Sequence, residues 1–226
     1  MSLCAARARD HSASEENFKP VTSGVPMTRR ALLVLLAQMP IGRALACSHW
    51  TFVRVQTSLG VIIVEPDLVR APLTAGNFLQ LIEAKAYDGN GSFYRSVAPT
   101  RDDNPVPINV IQGGIGRAPS PLPPIAHEST ATTGLRHVDG TISMARAAIG
   151  TASSEFFICI GDNPELDAGG KRVADGEGFA AFGRVISGMD VVRRIHALPT
   201  SVQGAGTAVA GQMLANPVGI IRVEKC

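Results

Sequence analysis

The sequence predicts an all-β fold, a barrel or sandwich capped by two helices. Three observations carry this reading. Short apolar runs recur between turn residues, only two segments keep a helical period, and the 23 Gly and 15 Pro suit a chain with many turns. Residues 52–65 (FVRVQTSLGVIIVE) read as two strands joined by a turn at Ser58-Leu59-Gly60. Residues 72–84 switch period: Pro72 falls near the first turn, and Ala75, Phe78, Leu79 and Ile82 are spaced by three and four. Gly89 and Gly91 close that segment. Further strands fit Phe93–Val97, Val106–Gln112, Thr141–Ala145, Phe156–Ile160, Phe179–Ile186 and Val218–Val223. A second helix fits 189–197, with Met189, Val192, Ile195 and His196 on one side. These elements make one domain, roughly 50–226. The turn-rich stretches 98–107, 115–127 and 167–178 are expected to be surface loops, because their polar backbone needs water.

Ahead of this domain the chain reads as an address. Residues 27–46 (MTRRALLVLLAQMPIGRALA) place Arg29-Arg30 before the apolar run Ala31–Ala37, then the breakers Pro40 and Gly42, then the small-x-small pattern Ala44-Leu45-Ala46. That is the layout of a secretory signal peptide. The run is far shorter than the roughly 20 residues that span a bilayer, so no stable membrane span is expected. Thr28-Arg29-Arg30-Ala31-Leu32-Leu33 also resembles a twin-arginine export signal. Lipoprotein processing at Cys47 ranks below plain cleavage after Ala46. The polar segment 1–26 is read as an extension upstream of a true start at Met27. The expected localisation is periplasmic or otherwise exported.

Charge excludes one class of partner. Residues 1–46 hold six Lys/Arg and three Asp/Glu, and the remainder holds fifteen and sixteen, a charge of −1. A near-neutral body has no electrostatic footprint for nucleic acid. Cys4, Cys47, Cys159 and Cys226 lack metal-ligand spacing, as do His127, His137 and His196. Cys159, in the run Phe156–Ile160, reads as a small buried hydrophobe. A Cys47–Cys226 bridge stays open. Gly113-Gly114-Ile115-Gly116 is not followed by a helical pattern, so it is not read as a phosphate loop. No Ser–His or paired-carboxylate arrangement supports a hydrolase.

Six blocks then stand in order: Phe93-Tyr94-Arg95-Ser96-Val97; Val110-Ile111-Gln112-Gly113-Gly114; Gly140-Thr141-Ile142-Ser143-Met144-Ala145-Arg146; Ser154-Glu155-Phe156-Phe157-Ile158; Leu166-Asp167; and Phe182 through Val192. Together they resemble the cyclophilins, peptidyl-prolyl cis-trans isomerases, and especially the exported bacterial kind. The resemblance implies a closed eight-stranded antiparallel barrel with a helix over each open end. It implies Arg95 as the catalytic arginine and Gln112 as the glutamine that positions it. It places Phe157 at the floor of the proline pocket, Leu166 at its wall, and Val110, Glu155 and Phe179 around it. Ala145 and Arg146 match the segment that hydrogen-bonds the substrate backbone.

The implied partners are proline-containing unfolded or extended polypeptides, bound by a monomer, with no cofactor and no metal. The sequence departs from the family pattern at Tyr94, in place of a His, and at Asn109, in place of a pocket aromatic. The stretch between Arg95 and Gln112 is also longer than usual. Either the pocket is shallower or the 98–107 insertion supplies a replacement wall. Glu165 stands where cyclosporin-sensitive members have Trp, so weak cyclosporin binding is expected. The runner-up to an active isomerase is a catalytically weak module that holds peptides or acts as a chaperone.

Overall fold

The structure, a computed structural model, describes residues 51–116, 118–201 and 209–226. The predicted signal segment 27–46, the extension before it, Cys4 and Cys47 lie outside the described residues. Among the described residues eight strands form: β1 Val53–Thr57, β2 Gly60–Pro66, β3 Ser92–Val97, β4 Val110–Gly114, β5 Thr141–Met144, β6 Phe156–Cys159, β7 Ala180–Ser187 and β8 Met213–Lys225. Three α-helices accompany them among the described residues: α1 Pro72–Glu83, α2 Thr130–Thr133 and α3 Met189–His196. The strands close into a barrel in the order β1-β2-β7-β5-β6-β4-β3-β8, every pair antiparallel. Among the described residues no helix is long and apolar enough to cross a membrane.

The first hairpin follows from its turn chemistry. Thr57 pairs with Gly60 across Ser58-Leu59. Thr57 Oγ1 accepts the Leu59 N–H at 3.1 Å and donates to the Gly60 carbonyl at 2.8 Å. Gly60 has φ of 144°, and a Cβ there would meet Val191 Cγ2 of α3 at 2.8 Å. The turn and the approach of α3 both call for glycine.

Alternation along each strand sets two faces. Phe93, Ile111, Ile142, Phe156, Ile158 and Phe182 turn inward into one core. Phe78 of α1 and Val191, Val192 and Ile195 of α3 join that core. Phe156 meets Phe78, Tyr87 and Phe93 edge-on at 5.6 to 5.7 Å, the geometry that ring quadrupoles favour. Phe156 is therefore a core residue, as its place in an apolar run predicts. Pro72 opens α1, and no side chain of Ala71 caps it. The Glu128 carboxylate does so instead, accepting the N–H groups of Leu73 at 3.1 Å and Thr74 at 2.6 Å. A negative charge there also complements the helix dipole.

Four expectations change. α2 is a third helix, one turn of Thr and Ala capped by Ser129, too short and polar to show an apolar period. β4 starts at Val110 and not at Val106, because Pro105 and Pro107 cannot donate to a ladder. β8 runs from Met213, well before the expected Val218. It carries an irregularity opposite β3, where Phe93 pairs with Val218 but Arg95 pairs with Met213. The 98–107 and 167–178 stretches are not purely surface loops, because both send charged side chains inward.

Candidate active site

The outer face of the barrel carries the predicted site. Within β3 the register slips at Tyr94, so that Phe93 faces Gly113 and Arg95 faces Gln112. Such a bulge re-aims the side chain after it. Gln112 in turn pairs with Phe157 on β6, and Phe157 with Ser143 on β5. Arg95, Gln112 and Phe157 thus form one row across three neighbouring strands. The Arg95 Nη1 donates to Gln112 Oε1 at 2.8 Å. Burial, with Arg172 nearby, pulls the Arg95 guanidinium below its ordinary pKa, and it stays charged.

Next to this row lies a second apolar cluster, separate from the core: Val97, Ile108, Val110, Phe157, Cys159 and Leu166, with Ala145 and Phe179 packed against it. Five of the predicted substrate residues meet here: Phe157, Leu166, Val110, Ala145 and Phe179. Phe157 packs edge-on against Phe179 at 5.4 Å. Ile108, the first residue past the insertion, supplies apolar surface beside Asn109, where the family aromatic is missing. Asn109 is held through its backbone, with its N–H donating to Asn163 Oδ1 at 2.7 Å. Cys159 is buried as predicted, and burial pushes its thiol pKa up.

Two predicted substrate residues use their side chains elsewhere. Arg146 donates to both carboxylate oxygens of Asp175 and to the Gly178 carbonyl, and lies 5.3 Å over the Phe179 ring. Its side chain fastens the 167–178 loop to the pocket. Glu155 accepts the Tyr94 O–H at 2.5 Å and the Gly116 N–H at 3.0 Å. A Cβ on Gly114 would collide with that carboxylate, so glycine makes its space. Burial raises the Glu155 pKa against the opposing pull of these bonds. The Gln112 Nε2 donates to the Tyr94 hydroxyl at 3.0 Å. The chain Gln112→Tyr94→Glu155 sets which end of the Gln112 amide faces Arg95. Tyr94, which departs from the family pattern, is thus paired with Glu155. Glu165 is half-buried and accepts the Lys171 N–H at 2.8 Å.

Sequence reasoning missed three features. Gln212 accepts from Arg95 Nε at 2.9 Å and Nη2 at 2.5 Å. Asp102 of the insertion pairs with Arg172 at 2.6 Å. Finally, His137 links Asp167 at 2.7 Å to Ser143 at 3.0 Å, a Ser–His–Asp chain where none was expected. The Ser143 side chain is 0% exposed, so no substrate carbonyl reaches it. The His137 ring stacks on Phe157 at 5.8 Å, which makes the chain a support for that ring.

Asp167 also yields a pH prediction. Burial raises its pKa, but bonds from His137 and Arg136 outweigh this and hold it below the ordinary 3.8. A depressed carboxyl stabilises the fold above its unfolded pKa and loses that contribution as pH falls through the folded value. The melting temperature is expected to drop on acidification below about pH 4. Asp167→Asn should melt lower at neutral pH and show a smaller acid drop. Thermal scans across acidic pH check this, and an unchanged acid drop in the variant would count against it.

Residues 52–224 match the family described as Cyclophilin type peptidyl-prolyl cis-trans isomerase/CLD. The chain belongs to the cyclophilin family. The peptidyl-prolyl cis-trans isomerase of Acinetobacter baylyi is 35% identical to this cyclophilin over 203 residues, covering 88% of this chain and 96% of that protein. Peptidyl-prolyl cis-trans isomerase A of Dickeya dadantii is 32% identical over 179 residues, covering 77% and 86%. A crystal structure of a cyclophilin type peptidyl-prolyl cis-trans isomerase of Cryptosporidium parvum has the same fold. It superposes with a TM-score of 0.61 at 20% identity, covering 79% of this chain and 98% of that one. This cyclophilin is a peptidyl-prolyl cis-trans isomerase.

Proposed function

We propose that this cyclophilin turns X-Pro bonds of extended or unfolded polypeptides outside the cytoplasm, with Arg95 as the catalytic donor. The observation that carries the reading is the Arg95–Gln112–Phe157 row beside the second apolar cluster. Rotation about an X-Pro amide meets a barrier of about 18–20 kcal/mol from resonance and breaks no bond. The enzyme must bind the twisted state more tightly than either planar one. In that state the prolyl nitrogen becomes pyramidal and gains a lone pair. A preorganised guanidinium can donate to it. Gln112 fixes the guanidinium, Phe157 and Phe179 take the ring with Val110 and Leu166 packed behind them, and the segment at Ala145 lies alongside for the substrate backbone. A structure of the Cryptosporidium parvum relative in the presence of the dipeptide Ala-Pro fits that substrate class.

The extracytoplasmic setting rests on residues 27–46. Cleavage after Ala46 would start the mature chain at Cys47. Mass analysis of envelope-fraction protein is expected to find that terminus, and a full-length cytoplasmic product would refute export.

A further inference from the structure

We propose that Gln212, oriented by the Asp102–Arg172 ion pair, is a positioning residue for Arg95, and that the 98–107 insertion serves this purpose. The inference rests on Arg95 being the catalytic donor. Gln212 is 1% exposed, and its single Oε1 takes two guanidinium hydrogens, from Nε and Nη2. Gln112 takes a third, from Nη1. Arg has five N–H donors, so one on each terminal nitrogen remains for substrate. The plane of the guanidinium is thereby held at both edges.

An amide can face either way, and a reversed Gln212 would set its NH2 against the Arg95 donors. Asp102 selects the productive orientation. Its Oδ1 accepts the Gln212 Nε2 at 3.4 Å. The Asp102 side chain is 1% exposed and is neutralised by Arg172, which donates to its two oxygens at 2.6 and 3.2 Å. Arg172 also donates to the Val106 carbonyl at 2.7 Å, and the Ile108 N–H donates to Asp102 at 3.2 Å. The insertion and the 167–178 loop are thus locked together over Gln212. Beneath, the Gln212 carbonyl accepts the Ser96 N–H at 2.8 Å, which seats it against β3.

The test is a double-mutant cycle on the full chain. Gln212→Leu, Arg95→Ala and the double variant are compared for kcat and KM on an Ala-Pro peptide, with circular dichroism as the folding control. Gln212→Leu is expected to lower kcat about tenfold, with KM nearly unchanged. In the Arg95→Ala background the same substitution should change nothing, because its only route to chemistry is gone. Asp102→Asn keeps the volume, leaves β8 untouched and should lower kcat in the same direction, again only when Arg95 is present. Equal losses in both backgrounds would assign Gln212 a merely structural role and overturn the inference. An impaired Arg95→Ala beside fully active Gln212→Leu and Asp102→Asn would overturn it alone. An Arg95→Ala as active as the parent would overturn the reading of Arg95 and the inference with it.

Discussion

Arg95→Ala is expected to lower kcat/KM on an Ala-Pro peptide by about a hundred- to a thousand-fold, the loss typical of one preorganised donor to a developing charge. The barrel should stay folded, because Arg95 stands on the outer face and contributes no volume to the core. Two glutamine carbonyls hold the guanidinium, so the parent needs no reorganisation when the prolyl nitrogen pyramidalises. Lys at this position should rescue only partly. It keeps the charge but loses the planar fork that both glutamines grip. A folded Arg95→Ala with parental activity would remove Arg95 from the mechanism.

Phe157→Ala is expected to fail differently. Phe157 packs between His137 and Phe179, at 5.8 and 5.4 Å, and anchors the second apolar cluster. Truncation opens a cavity there and should destabilise the protein by about 3–5 kcal/mol. For a domain of this size that lowers the melting temperature by roughly 10 °C. If Phe157 is the proposed floor for the proline ring, its truncation should also raise KM. Thermal melting and steady-state kinetics on one preparation separate the two variants: Arg95→Ala loses turnover without stability, and Phe157→Ala loses stability and affinity. A Phe157→Ala protein that melts with the parent would mean that the outer cluster does not bear on the fold.

Arg95, Gln112 and Phe157 were legible as a set through the resemblance of the ordered blocks to the cyclophilins, and the strand pairing then brings them into one row. Val110, Leu166, Ala145 and Phe179 were named through the same resemblance, and the structure packs them into one cluster. The partners of Arg95 beyond Gln112 were not legible. Gln212 is separated from Arg95 by 117 positions and reaches it only through the irregular pairing of β3 with β8. Asp102 and Arg172 come from two turn-rich stretches whose polar composition reads as solvent-exposed, yet they bury an ion pair. Glu155 was placed at the site by the resemblance, at a position where the family usually has Gln. Its carboxylate instead turns to Tyr94 and Gly116, because Gly114 leaves a space there. His137, Ser143 and Asp167 have no spacing that marks them as a unit, and only the β5–β6 pairing beside Leu166 gathers them behind Phe157.

Exchange NMR of an Ala-Pro peptide with substoichiometric protein reads rotation and binding in one experiment, and it bears most directly on catalysis by Arg95. The parent is expected to give cis–trans exchange cross-peaks and binding shifts. Arg95→Ala should keep the shifts and lose the cross-peaks. Binding shifts without exchange in the parent would contradict the account and leave the barrel a module that holds proline segments without turning them.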